Sequence, residues 1–365
     1  VERAYFDHNA TTPVAPAVID ALLPLLREGF GNASSIHQPG QQAKQALERA
    51  RRQTAALLGC SPKEIVFTSG GTEADNLAIL GVPEGHIITT RIEHPAVLAA
   101  CGERETTYLE ADSNGRVRPE ELRDAMRPST VLVSVMHANN ELGTIQDIET
   151  LARIAHGGGA LFHADGVQAA GRVPLDLSSI DLYTISGHKL NAPKGIGALY
   201  VRKGVELRPR QFGGRHEAGR RAGTENVPGA AALGAACELA RPDLAPLRDR
   251  LERGILARVP DAVVNGAGAP RVPNTTNIRF AGIEGEAMVI ALDLRGFAVS
   301  SGAACSSGAV EPSHVLTAIG LTREQAKSSI RFSLGLGNTE AQVDALIEAV
   351  AASAAHLRRL SPTYA

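Results

Sequence analysis

From about residue 40 onward the chain alternates stretches of helical period with short apolar runs bounded by turn residues, and this rhythm restricts its fold more than any other feature. GQQAKQALERARRQTAALLG (40–59) has helical spacing, EIVFTS (64–69) is a short apolar run, TEADNLAIL (72–80) is helical again and GHIITT (85–90) is apolar again. A chain that switches period in this way buries its strands under helices. Runs at 130–137, 160–165, 181–186 and 197–202 are almost continuously apolar, as strands covered on both faces are, so all four read as buried parallel strands. An Ala-rich helix at 229–240 closes this α/β region. Beyond it, a helical stretch (240–256) and the strand-like segments NTTNIRF (274–280), FAVSS (297–301) and SIRFSLG (329–335) predict a smaller α+β domain beginning near 245.

With 365 residues the chain is long enough for two domains. Hydrophobic and charged fractions of 44% and 21% are those of an ordinary globular protein, which excludes disorder, collagen and coiled coil. The formal charge of -2, with Lys and Arg spread along the length, provides no basic stripe to follow a phosphate backbone, so nucleic acid is not expected as the main partner. Cys60, Cys101, Cys237 and Cys305 lie far apart, with neither CxxC pairs nor a Cys/His spacing suited to zinc. A reduced, cytoplasmic protein without a metal site is expected. VERAYFDHNATTP has no leader pattern and no apolar run is long enough to span a bilayer, so no membrane partner is expected either.

Three local patterns could support chemistry. EIVFTSGGTEADN sets a strand against a Gly-Gly-Thr turn that opens a helix, leaving backbone N–H groups around Gly71 and Thr72 free to face an anion. An ordinary strand-to-helix turn with Thr72 as cap fits the same residues. ALFHADGVQ ends a buried strand at Asp165, at the edge where open α/β sheets bind ligands; there an acid can hold a protonated ring nitrogen or simply cap a turn. DLYTISGHKLNAPKGIG ends another strand at Ser186 and places Lys189 three residues later. A lysine desolvated at a strand end has a lowered pKa and can form a Schiff base, whereas a solvated one is only a surface charge. Together the phosphate turn, the ring acid and the lysine are the three handles that pyridoxal 5'-phosphate (PLP) requires. The pattern S-x-x-K at Ser186–Lys189 also suits an acyl-serine hydrolase, but no S-D-N or K-T-G partner follows and the serine ends a strand.

Ten segments in order complete the pattern: DHNATTPVAP (7–16), FGNASSIH (30–37), FTSGGTEADNLAI (67–79), IEHPAV (92–97), HANNELGTIQ (137–146), HADGVQ (163–168), SGHKLNAPKGIG (186–197), RAGTENV (221–227), SSGAACSSG (300–308) and SIRFSLG (329–335). With these the chain resembles the cysteine desulfurases of the NifS/IscS type, fold-type I PLP enzymes, over nearly its whole length. The resemblance implies a mainly parallel seven-stranded sheet with helices on both faces in a large domain (13–244), and a small α+β domain (1–12 and 245–365) carrying the cysteine loop at about 300–310. It implies that Lys189 binds PLP covalently, that Asp165 pairs with the pyridine nitrogen, and that His94 stacks on the ring and handles a proton. Gly71, Thr72, Ser186 and His188 would hold the phosphate, with Thr224 reaching the neighbouring subunit's phosphate in a homodimer. Asn140 and Gln168 would hydrogen-bond the cofactor, while Asn9 and Arg331, with Asn140 near them, would fix the substrate carboxylate. Cys305 would take sulfur from L-cysteine as a persulfide, leaving L-alanine, and pass it to a protein acceptor such as an iron-sulfur scaffold. A selenocysteine lyase, or another PLP-dependent lyase or aminotransferase, is the alternative. The chain departs from the usual pattern at Asn191, Ala192, Arg215, Ala218, Arg220, Ala222 and Leu336.

Overall fold

The computed structural model describes residues 3–301 and 311–360. In chain order the strands are β1 (Ala4–Tyr5), β2 (Ile65–Thr68), β3 (His86–Thr90), β4 (Thr106–Leu109), β5 (Thr130–Ser134), β6 (Leu161–Asp165), β7 (Leu182–Ser186), β8 (Gly197–Val201), β9 (Ala262–Val264), β10 (Thr275–Phe280), β11 (Phe297–Ala298) and β12 (Ser329–Ser333). Seven of them form one sheet in the order β2-β8-β7-β6-β5-β3-β4. Their residues are buried along almost the whole length of β2, β3, β5, β6, β7 and β8, as expected of strands covered on both faces.

The run at 197–202 is the exception to the parallel expectation. β8 pairs antiparallel with both β7 and β2, although its apolar text matches that of its parallel neighbours. The reason is the connection. Residues 187–196 between β7 and β8 hold only a single short 3₁₀ turn, and a parallel return needs a crossover of a dozen residues or more. Burial on both faces dictates composition and says nothing of direction.

β10 stands between β12 and β9 in a small antiparallel sheet, and β1 pairs in parallel with β11. The FAVSS run thus contributes only two strand residues. The helices Ala245–Arg258, Gly285–Asp293 and Glu340–Leu360 cover the small sheet, and Phe6, Phe280, Phe332, Leu251 and Leu346 meet in an apolar cluster separate from that of the large sheet. Phe6 of the N-terminal segment belongs to this cluster, so the chain's start is packed with its last third.

One edge of the large sheet positions the site. β2, β3, β5, β6 and β7 run in the same direction, so their carboxyl ends, at Thr68, Thr90, Ser134, Asp165 and Ser186, share one side. The loops and helices that leave these ends bring their first residues together there, the general location of ligand sites in open α/β sheets.

Candidate active site

A cavity of about 380 Å³ opens at this edge. Asp165 is the last residue of β6, Ser186 the last of β7, and the 3₁₀ turn Gly187–Lys189 follows immediately, so local sequence alone sets these side chains at the cavity. The helix Gly71–Gly81 begins there with Gly70 as its cap residue and no side chain capping its first N–H groups. A Cβ at Gly71 would lie 3.1 Å from Val167 Cγ2 and 3.4 Å from Ser186 Cβ, so glycine keeps this end of the cavity open. Asn9, Gly71, Thr72, His94, Asn140, Asp165, Gln168, Ser186, His188, Lys189 and Arg331, eleven of the expected site residues, all line it. Thr224 does not; it is exposed on the loop that Arg221 ties to the helix Gly71–Gly81 through Glu73, at 2.8 Å. Cys305 lies outside the described residues.

Lys189 donates from Nζ to the carbonyls of Asn9 and Ala10, the latter at 2.7 Å, and among the described residues pairs with no carboxylate. Burial pushes its amine down to about 7, and the positive charges of Arg331 and Arg172 push the same way. Asp165 is held by the Val167 N–H at 2.9 Å, and burial raises its pKa above the ordinary carboxylate range. His94 caps the helix Pro95–Gly102 by accepting from the Ala96 N–H at Nδ1 (3.1 Å), which places the proton of the neutral ring on Nε2; burial lowers its pKa.

Arg331, on β12, donates to the Asn140 carbonyl at 3.0 Å and to Asp7 Oδ1 at 2.7 Å, while its Nε has no partner among the described residues. Asn9 is fully engaged: Nδ2 donates to the Asn140 carbonyl and to Thr275, and Oδ1 accepts from Asn274. Gln168 donates to the Asn9 carbonyl at 3.0 Å and accepts from Arg172. The Gln168 amide is therefore used inside the protein in this arrangement. Of the departures from the family pattern, Asn191 and Ala218 take left-handed backbone (φ 66° and 56°), and the Asn191 side chain donates to the Pro13 carbonyl.

Sequence reasoning assigned no role to Asp75, Asp7 or Glu93. Asp75 lines the cavity from the first turns of the helix Gly71–Gly81, with Oδ1 unpartnered and 3.7 Å from His163 Nε2. Burial, and next the charge of Asp165, hold its carboxyl well above the usual range. The signal was available, since Asp75 follows Gly71 by four residues and so shares its helix face. Asp7 offered only its place two residues before Asn9.

Glu93 accepts from Thr90 Oγ1 (2.8 Å) and the Met136 N–H (2.9 Å), joining the loops that carry His94 and Asn140. Burial pushes it up to about 8. Because this folded value exceeds the unfolded one, the stability it contributes is present below about pH 4.5 and is lost as pH rises through about 8. Apoprotein melting curves of wild type and Glu93→Gln from pH 5 to 9 should therefore diverge in favour of the variant, by up to about 5 kcal/mol at the alkaline end. Parallel curves would show that Glu93 ionises without cost.

Residues 4–346 match the family model described as aminotransferase class-V. The chain is 52% identical over 377 residues to a cysteine desulfurase of Nostoc sp. (strain PCC 7120), an alignment covering 98% of this chain and 94% of that protein. It belongs to the cysteine desulfurases of the class-V aminotransferase family. Among solved structures, a NifS-like protein superposes with a TM-score of 0.89 at 36% identity, covering 97% of this chain and 100% of the other. A protein described as SspA in complex with cysteine superposes at 0.83, with 36% identity and coverage of 91% and 98%. The class-V aminotransferase family uses PLP. The cavity of this desulfurase-family chain fits that group: it offers an amine of lowered pKa, a buried carboxylate and an uncapped helix N-terminus with two unpartnered polar atoms, Asp75 Oδ1 and Arg331 Nε. Among the described residues no helix is long and apolar enough to cross a membrane.

Proposed function

We propose that this chain removes sulfur from L-cysteine, leaving L-alanine, with PLP held by Lys189 and the sulfur received by Cys305 as a persulfide. The observation that carries this reading is the meeting of Lys189, its amine near neutral pKa, and buried Asp165 in one cavity with the uncapped helix start at Gly71.

The N–H groups at Gly71 and Thr72, with Ser186 and His188, would hold the phosphate. Bound there, PLP supplies an electron sink for charge developing at the substrate Cα. Near neutral pH a large share of Lys189 is uncharged, so its amine can take the Cα proton. Asp165, whose charge burial disfavours, would hold the pyridine nitrogen and favour its protonated form, since a cationic partner offsets the cost of its buried charge. A substrate carboxylate would exchange with Asp7 at Arg331, whose Nε, unpartnered among the described residues, adds a second donor near Asn140, while Asn9 would join only by releasing Thr275 or the Asn140 carbonyl. His94 would stack on the ring and move a proton through Nε2. Cys305 would then bond to the substrate sulfur as the Cβ–S bond breaks.

The same reading takes 13–244 as the cofactor domain and 1–12 with 245–365 as the second. It makes the chain a homodimer in which Thr224 reaches the partner's phosphate; Phe212, on the same surface loop, and Phe30 are each 85% exposed, and such an interface would cover them. A protein acceptor such as an iron-sulfur scaffold would receive the persulfide.

The direct test is sulfide and alanine release from L-cysteine by the PLP-loaded protein under a thiol reductant, in equal amounts. Asp165→Asn should bind PLP yet lower turnover by about 10²-fold or more, with a shifted cofactor absorbance. Unchanged turnover would remove Asp165 from its role.

A further inference from the structure

Lys189 also borders a second cavity, of about 270 Å³, lined by Arg172 and Arg241 together with His8, Asp243 and Asn274. Both guanidiniums are partly buried and all their acceptors are neutral. Arg172 donates to Asn9 Oδ1 (3.4 Å), to the Gln168 carbonyl (3.2 Å) and side-chain oxygen, and to the Lys189 carbonyl (3.2 Å). Arg241 donates to the carbonyls of Leu239 (3.0 Å) and Ala236 (2.8 Å) at the end of the helix Val227–Cys237. Asp243, the acid on this wall, accepts from the Ala245 N–H at 2.9 Å and pairs with neither arginine.

The two charges are held close. Gly171 has left-handed backbone (φ 68°), and a Cβ there would fall 2.7 Å from Arg241 Nε, so Arg241 lies against the backbone next to Arg172. Burial, then the charge of Arg241, pushes Arg172 down to about 10. Like charges in a partly desolvated space repel, and hydrogen bonds to carbonyls do not cancel that repulsion. His8, 2% exposed and lining the same cavity, has no partner for Nδ1 among the described residues.

We propose that this cavity is a binding site for a small oxyanion, a carboxylate or a tetrahedral inorganic ion, held between Arg172 and Arg241. Planar guanidinium forks match such oxygens, and the volume admits one such ion with accompanying waters. Its occupant would neutralise one of the charges that act on the Lys189 amine.

The test uses PLP-loaded protein, so that the phosphate end of the first cavity is already filled. Sulfate and acetate are each titrated against chloride at constant ionic strength while Tm is followed, and selenate is soaked into crystals and located by its anomalous signal. Sulfate, acetate or both should raise Tm, the stronger of the two naming inorganic ion or carboxylate as the preferred ligand. Selenate should appear between the two guanidiniums. Arg241→Gln should bind the ion at least about tenfold more weakly. Should that variant misfold for want of its helix-end contacts, Arg172→Gln and the selenate map decide. No Tm response to either anion, no selenate in this cavity, or an undiminished response in a folded variant overturns the proposal.

Discussion

Lys189→Ala should leave a folded protein that has lost both the visible absorbance of covalently bound PLP and all but about 10⁻³ of its desulfurase activity. The amine does two things in the proposed chemistry, bonding the cofactor and taking the Cα proton, and no neighbour can replace it. The guanidiniums of Arg172 and Arg331 and the imidazoles of His94 and His188, whose pKa values burial lowers, all lack a primary amine. The fold should survive because, among the described residues, Nζ hydrogen-bonds only the carbonyls of Asn9 and Ala10, and the Asn9 carbonyl keeps its bond from Gln168. Absorbance scans with and without borohydride, beside a sulfide assay, measure both losses. A coloured and active Lys189→Ala protein would end the cofactor assignment.

Cys305→Ser should separate the cofactor steps from sulfur transfer. The variant is expected to bind PLP and to change absorbance on mixing with L-cysteine, yet to release sulfide at no more than about a thousandth of the wild-type rate. A serine hydroxyl does not ionise near neutrality and attacks sulfur poorly, whereas a thiolate does so readily. The other cysteines offer no substitute. Burial pushes Cys60, Cys101 and Cys237 each up to about 12, which keeps them as thiols at working pH. Mass spectrometry of wild type after a short exposure to L-cysteine should therefore find the added sulfur on the Cys305 peptide alone. Sulfide release by the serine variant at the wild-type rate, or sulfur on another cysteine, would show that the nucleophile is a different residue.

The sequence by itself determined where β6 and β7 end and what stands there. Period and turn chemistry are local properties, so Asp165 closing β6, Ser186 closing β7 and the turn at Gly71 could all be read from neighbouring residues. Parallel strands then put those ends on one edge, which is why so many of the expected residues reach a single cavity. The direction of β8 was not legible, because a strand buried on both faces has the same composition whichever way it runs.

Only the tertiary structure decided the electrostatics. Asp7 meets Arg331 across 324 positions, and the Lys189 amine is lowered partly by Arg331 and Arg172, which no local pattern ties to it. Arg172 and Arg241 belong to separate segments of the chain, and become neighbours when the end of one helix folds against the turn at Gly171. A pKa depends on burial and on charges through space, and both are set by contacts between residues far apart in the chain.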